Sequence, residues 1–472
     1  MIADLQPYAA YKDSGLPWLG KVPEHWEMRP TFGAFVPNHE RNHGMKESTV
    51  LSLSYGRIVV RHADKLHGLV PESFETYQVV NPGDIVLRTT DLQNDHTSLR
   101  VGMVRDRGII TSAYLALRVR AGLLQEFGYQ FLNVWDSSKA IYGYGSGLRQ
   151  NLDFSHFKRM PVSVPPPHEQ AAIVRFLDWG DGRLERAIRA KRKVIALLNE
   201  QKQAIIHRSV TGGLDPSVPL KPSGIPWLGD IPEHWEVRRL GYAIRLQTGF
   251  PFASTGFVYG ENGTRLLRGI NVTSSGIRWD QTVRWQRVPG DDLDEYALAP
   301  GDIALGMDRP IIGSGVRATT IRDDDTPSLL LQRVARLRPT DSLDARFLLL
   351  LLRGRLFRDY VAPIFTGVSV PHLSPQQIKG FRVPLPSLKE QQAIVDHLEA
   401  ETSGFDIAVS RLEREIELLR EYRTRFVADV VTGKLDVRES AARLPEEAPH
   451  DTVDDDADLS EDSEAVDEGV AE

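Results

Sequence analysis

At 472 residues and 41% hydrophobic, the chain can bury cores in two or three domains, while its lack of cysteine excludes disulfides and thiolate metal sites and suits a reducing cytoplasm. The longest aliphatic run, 347–352, is six residues, too short to span a bilayer, and Met1-Ile2-Ala3-Asp4 offers no basic start to a signal peptide. The net charge of −7 argues against nucleic acid only until it is resolved along the chain: residues 439–472 hold 14 acidic residues against one Arg, or −13, which leaves the other 438 residues at +6.

In chain order, the first element is a Trp-Pro opening motif, Ser14-Gly15-Leu16-Pro17-Trp18-Leu19-Gly20-Lys21-Val22-Pro23-Glu24-His25-Trp26-Glu27. A body of strands and loops follows, with Asn81-Pro82-Gly83-Asp84-Ile85-Val86-Leu87 reading as a turn into a strand. Residues 114–120 alternate apolar and polar as half-buried strands do, and a short helix is predicted at 125–139. Pro165-Pro166-Pro167 closes the body and starts a long helix at Glu169-Gln170, where a carboxylate suits the helix dipole. That helix stops at Thr211-Gly212-Gly213-Leu214-Asp215.

The order then repeats. The opening motif recurs at 223–236 (offset 209), Pro300-Gly301-Asp302-Ile303 repeats the turn (offset 218), and Glu390-Gln391 repeats the helix start (offset 221). A short helix is predicted at 344–359, and the second long helix ends at Thr432-Gly433-Lys434-Leu435-Asp436. A period of this length means a duplicated domain rather than a solenoid. The predicted segments are a first head at 1–165, a first spacer helix at 166–215, a second head at 216–386, a second spacer helix at 387–438, and a disordered acidic tail at 439–472.

Heptad seams in the two helices coincide at offset 221. Leu177, Leu184, Ile188, Ile195, Leu198 and Ile205 line the first; Leu398, Phe405, Val409, Leu412, Ile416, Leu419 and Phe426 line the second. Gly180-Asp181-Gly182 and Ser403-Gly404 are expected to interrupt and bend them. Because compact domains keep their termini close, the second helix is expected to start near the end of the first and run back antiparallel. The two heads would then be inverted about a pseudo-two-fold axis, as two half-sites of duplex DNA are. The expected fold is α+β: two tandem α/β heads joined by two long antiparallel coiled-coil helices.

Arg reads guanine, Asn and Gln read adenine, and glycine lets a loop approach phosphate. On that chemistry the DNA-contact candidates of the first head are Arg57, Arg61, Arg88, Thr89, Thr90, Gln93, Asn94, Arg149, Gln150 and Asn151. Those of the second head are Arg265, Arg268, Asn271, Arg309, Arg317, Ser369 and His372. The repeated tryptophans, Trp18, Trp26, Trp227 and Trp235, read as structural plugs or a docking patch, because readers of different half-sites would vary them. His39-Glu40-Arg41-Asn42-His43 fits the zinc-protease spacing, but Pro37-Asn38 before it and Gly44 after it argue against the helix that chemistry needs. No phosphate-binding loop, dinucleotide fingerprint or Asn-Pro-Pro-aromatic motif occurs, so no catalytic residue, metal or cofactor is assigned to this chain.

The two Trp-Leu-Gly-x-x-Pro-x-His-Trp openings, the two Pro-Gly-Asp-Ile strands, the Pro-rich hinges into Glu-Gln helices and the Thr-Gly-x-Leu-Asp ends together closely resemble the specificity subunit of type I restriction-modification systems, over about residues 11–438. The resemblance implies a bacterial or archaeal, cytoplasmic, non-catalytic subunit in which each head is a target recognition domain reading one half of a split DNA site. It implies double-stranded DNA, two modification (methyltransferase) subunits and restriction (translocase/nuclease) subunits as partners, and no membrane. S-adenosylmethionine, ATP and Mg are then expected on those partners. The alternatives are a recognition subunit of a methylation-only or other split methyltransferase system, a zinc hydrolase at His39 and His43, and a coiled-coil adaptor that binds no nucleic acid.

Overall fold

The computed structural model describes residues 5–61, 73–93, 98–145, 150–313, 315–365 and 371–445. The chain forms two compact units: residues up to Lys191 together with those from Glu413 to the last described residue, and Arg192–Leu412.

In the first unit, four strands pair antiparallel in the order Phe35–Pro37, Tyr114–Val119, Ile85–Arg88, Val101–Met103. Strand alternation splits the buried side chains after the Pro-Gly-Asp turn between two cores. Ile85 and Leu87 join Phe127, Phe131 and Leu132 of the helix Gln125–Ser137, while Val86 joins Leu51, Val80 and Ile110. The second unit repeats the plan with Ile244–Thr248, Val334–Pro339, Ile303–Gly306 and Ala318–Thr320, again antiparallel. Ile303 and Leu305 pack on Phe347 and Leu348, and Ala304 on Leu267 and Leu330. The central sheets are antiparallel, so each head is α+β; the expectation of α/β heads is corrected, because direct neighbours in these sheets do not come from parallel crossovers. The predicted helix at 344–359 is two helices, Ala345–Arg353 and Arg355–Phe365, parted at Gly354.

The turns themselves are chemically repeated. Gly83 (φ 90°) and Gly301 (φ 89°) take left-handed backbone. The Asp84 carboxylate then accepts from the Asn81 amide (2.9 Å) and from Arg118 Nε (3.2 Å), and Asp302 accepts from the Ala299 amide (2.9 Å) and Arg338 Nε (2.6 Å).

The long helices are Pro167–Gly212 and Leu388–Val431. Within the first unit the segments pair antiparallel: Phe176 packs on Phe426 (5.7 Å between rings), Asp181 and Glu185 bind Arg423 (2.7 and 2.6 Å), and Lys191 binds Glu415 (2.5 Å). Within the second unit, Lys202 binds Asp406 (2.5 Å), and Ile206 shares a core with Val395 and Leu398. Of the predicted seam, Leu177, Ile188, Leu398, Ile416 and Phe426 are buried. Leu184, Ile195, Leu198, Ile205, Phe405, Val409, Leu412 and Leu419 are half-buried. The glycines do not interrupt either helix, contrary to expectation. Gly180 instead admits a partner: a Cβ there would stand 3.0 Å from the Phe426 ring.

The tail is also corrected. A short helix, Arg438–Ala442, continues the fold, with Ala441 and Leu444 buried one turn apart and Arg175 donating to the Leu444 carbonyl (2.8 Å). The rest of the predicted tail, 446–472, lies outside the described residues.

Candidate nucleic-acid interface

Each head is fastened to its long helix by the same polar lock. Glu169, fully buried, accepts from Trp26 Nε1 (2.9 Å) and the Tyr8 hydroxyl (2.5 Å) and hydrogen-bonds His25 Nε2 (2.8 Å). In the second head Glu390 accepts from Trp235 Nε1 (2.9 Å) and hydrogen-bonds His234 Nε2 (3.1 Å). The adjacent glutamines act as staples. Gln170 accepts from the Leu124 amide (2.8 Å) and donates to the Gly122 and Pro165 carbonyls (2.9 and 2.8 Å). Gln391 accepts from the Asp344 amide (2.8 Å) and donates to Ser342 and Pro386 (3.0 and 2.9 Å). A dipole cap was the sequence reading of these carboxylates; the structure gives them the larger task of joining motif to helix. Trp26 and Trp235 are fully buried, as structural plugs are, and cannot stack on a base.

On this frame, two loops in each head come together. In the first head, the Leu152 amide donates to the Thr89 carbonyl (2.8 Å) and the Asp91 amide to Asn151 Oδ1 (3.2 Å). In the second, the Leu373 amide donates to Met307 (2.8 Å) and the Arg309 amide to Pro371 (2.7 Å). The loop after each Pro-Gly-Asp strand therefore lies beside the loop that precedes the last strand of its head, as the two candidate groups require.

An arginine, buried in the first head and half-buried in the second, organises the first of these loops. Arg100, with no exposed surface, donates to the carbonyls of Arg88 (3.3 Å), Thr90 (2.9 Å) and Asp91 (3.2 Å). Arg317 donates to the carbonyls of Asp308 (3.1 Å) and Val272 (3.0 Å), and burial pushes its pKa down. Sequence reasoning missed Arg100 and took Arg317 for a DNA contact. An internally spent guanidinium has little left to offer a base.

The other candidates divide by what their side chains already do. Thr89 is buried and donates to the Ala113 carbonyl (3.2 Å). Gln150 donates to Tyr142 and Tyr144 carbonyls (2.7 and 2.9 Å). Asn271 is buried and donates to Arg278 (2.8 Å). Arg265 stacks over Trp279 (4.5 Å) and donates to the Asp324 carbonyl (2.7 Å), and Arg268 binds the Gln281 carbonyl; burial lowers the pKa of both. Arg88, at the end of its strand, and Thr90, on the pinned loop, are half-buried, and Gln93, Asn151 and Arg309 are exposed on that loop or beside it. Arg57 and Arg61 are exposed at the hairpin Leu51–Ser54 with Arg57–Val60, where Arg61 Nε donates to Ser52 (2.9 Å). His372 pairs with Asp308 (2.5 Å), which Arg333 also binds (2.6 Å). Burial raises the Asp308 pKa, but those two partners outweigh it and hold the carboxyl below its usual range. Asn94, Arg149 and Ser369 lie outside the described residues.

The zinc-protease spacing finds no helix. Residues 40–42 pair as extended chain with 77–79, through the Val79 amide to Glu40 (2.8 Å) and the Asn42 amide to Tyr77 (3.0 Å). Extended backbone rises about 3.3 Å per residue against about 1.5 Å in a helix, so the close two-histidine pair of a helical face is not formed. Among the described residues no helix is long and apolar enough to cross a membrane.

Residues 232–418 match the family described as Type I restriction modification DNA specificity domain. The Type I restriction enzyme MjaVIII specificity subunit of Methanocaldococcus jannaschii is 28% identical over 365 residues, covering 76% of this chain and 81% of that protein. The Type I restriction enzyme EcoAI specificity subunit of Escherichia coli is 29% identical over 211 residues, 44% of this chain and 34% of that one. A solved chain, from work on complex assembly and conformational transition of the type I R-M system, aligns over 88% of this chain and 99% of its own. Its TM-score of 0.55 at 17% identity speaks to fold. The resemblance read from the repeated motifs is borne out.

Proposed function

We infer that this chain, a relative of the type I restriction specificity subunits, is the DNA sequence-specificity subunit of a type I restriction-modification complex. The observation that carries the reading is the duplicated head: one sheet order, one polar lock and one pair of converging loops, built twice with different residues at the loop tips. Two readers of common frame and different surface suit a split, asymmetric site. In this proposal each head takes one half-site, and the long helices set the gap. The exposed or half-buried residues Arg57, Arg61, Arg88, Gln93, Asn151, Arg309 and His372 contact DNA in this proposal; Asn94, Arg149 and Ser369 are assigned to DNA by residue type alone.

The chain itself performs no covalent step in this reading. Two modification subunits supply S-adenosylmethionine chemistry, restriction subunits supply ATP- and Mg-dependent work, and the complex acts in the cytoplasm. Copurification of a translocase-nuclease separates this from a methylation-only system.

The test is binding of the assembled complex to cognate and random duplex across a salt series. Phosphate contacts make both affinities fall steeply with salt, while the cognate duplex stays at least about a thousandfold tighter. Equal affinity for both duplexes at every salt concentration contradicts the reading.

A further inference from the structure

The loop after the Pro-Gly-Asp strand is strained at the same place in both heads. Asp91 (φ 58°) and Arg309 (φ 41°) are non-glycine residues in left-handed backbone, at equivalent positions of the repeat. Such a conformation costs free energy and persists only where its surroundings enforce it. The enforcing group is identifiable. The Arg88 amide donates to the Arg100 carbonyl (2.8 Å), and the Gly306 amide to the Arg317 carbonyl (2.8 Å), so the two arginines hold equivalent stations beside the strand. From there each guanidinium reaches back to the carbonyl just before the strained residue, Thr90 or Asp308.

Cradling backbone alone does not require identical strain at a residue that differs in charge between heads. A carboxylate accepts from the amino group of cytosine, and a guanidinium donates in a fork to guanine. Strain held constant under a changed side chain is what a reading position needs: fixed direction, variable chemistry.

We propose that Arg100 and Arg317 are positioning residues for sequence reading, each holding its loop so that the side chain at the left-handed station, Asp91 or Arg309, meets a base edge. This rests on the reading of the heads as DNA-binding. Asp91 then selects a base carrying an amino group at one position of its half-site, and Arg309 selects guanine in the other.

The experiment selects duplexes from a library with randomised bases, using the full chain in complex with the methyltransferase subunits that copurify with it. The wild type enriches a two-part motif. Arg100→Met fills the buried space without donors; it lowers discrimination about tenfold or more in one part only, leaving the other part and non-specific affinity unchanged. Arg317→Met does the same to the other part, and Arg100→Lys, which keeps one cationic donor, recovers part of the loss. Asp91→Ala and Arg309→Ala, changes in partly or fully exposed side chains, each relax one base position in the same part as their arginine, and they decide the matter if a methionine variant fails to fold. Full discrimination by folded Arg100→Met and Arg317→Met, or unaltered motifs for Asp91→Ala and Arg309→Ala, overturns the proposal. Enrichment of no motif by the wild type instead overturns the DNA reading beneath it.

Discussion

Gly433 shows how much a single residue carries. It ends the second long helix in left-handed backbone (φ 75°), and a Cβ there would lie 2.4 Å from Pro23 Cδ and 2.9 Å from the Trp26 ring. The helix end therefore docks on the opening motif only because no side chain intervenes. Gly15 shares the backbone (φ 75°) but has open space around it. Gly433→Ala is expected to cost about 2–4 kcal/mol, backbone strain plus overpacking, and Gly15→Ala about 1–2 kcal/mol, strain alone. Denaturant unfolding of the two variants checks this; equal losses would mean that the docking contact contributes nothing. The same scale shows where sequence reasoning stops. Arg317 and Arg100 carry the same charge as Arg57, and nothing in a linear string tells an arginine turned inward onto carbonyls from one turned outward. Their equivalence lies in the strand pairing, where the Arg88 and Gly306 amides donate to the Arg100 and Arg317 carbonyls, and it is visible only once the sheet register is known.

At the scale of elements, the long helices were legible because a stripe of apolar residues at helical spacing must be covered. Their breaks were not legible. Gly180 and Gly404 look like interruptions to a propensity argument, yet packing of Phe426 against Gly180 overrides the roughly 1 kcal/mol that a helical glycine costs. The Pro-Gly-Asp strands, the Glu-Gln starts and the Gly-containing stops were all readable from their repetition. The α/β expectation failed because short apolar runs do not declare the direction of their neighbours. Antiparallel pairing in the first unit has a direct consequence. Phe426→Ala removes a ring buried against Phe176 and Gly180 and should cost about 3–5 kcal/mol, whereas Leu418→Ala, on a side chain 49% exposed, should stay within about 0.5 kcal/mol. A melt in which both variants behave alike would place Phe426 outside the core.

For the whole molecule, the organising fact is duplication: the same four-stranded sheet order and the same Glu-Trp-His lock carry loops whose residues differ between the heads. The lock of Glu169 with His25 and Trp26 and that of Glu390 with His234 and Trp235 are the same chemistry, so the frame was copied and kept. The stations at 91 and 309 and at 151 and 372 differ, Asp against Arg and Asn against His. A frame that is kept and tips that change predict modular recognition, in which each head can be exchanged without disturbing the other's target. The most direct measurement replaces residues 216–386 with the corresponding head of another such chain and sequences methylated adenines in a host carrying the system. The account predicts a two-part motif with a fixed gap, of which the exchange rewrites one part and leaves the other intact. A single uninterrupted motif, or an exchange that rewrites both parts, would contradict it.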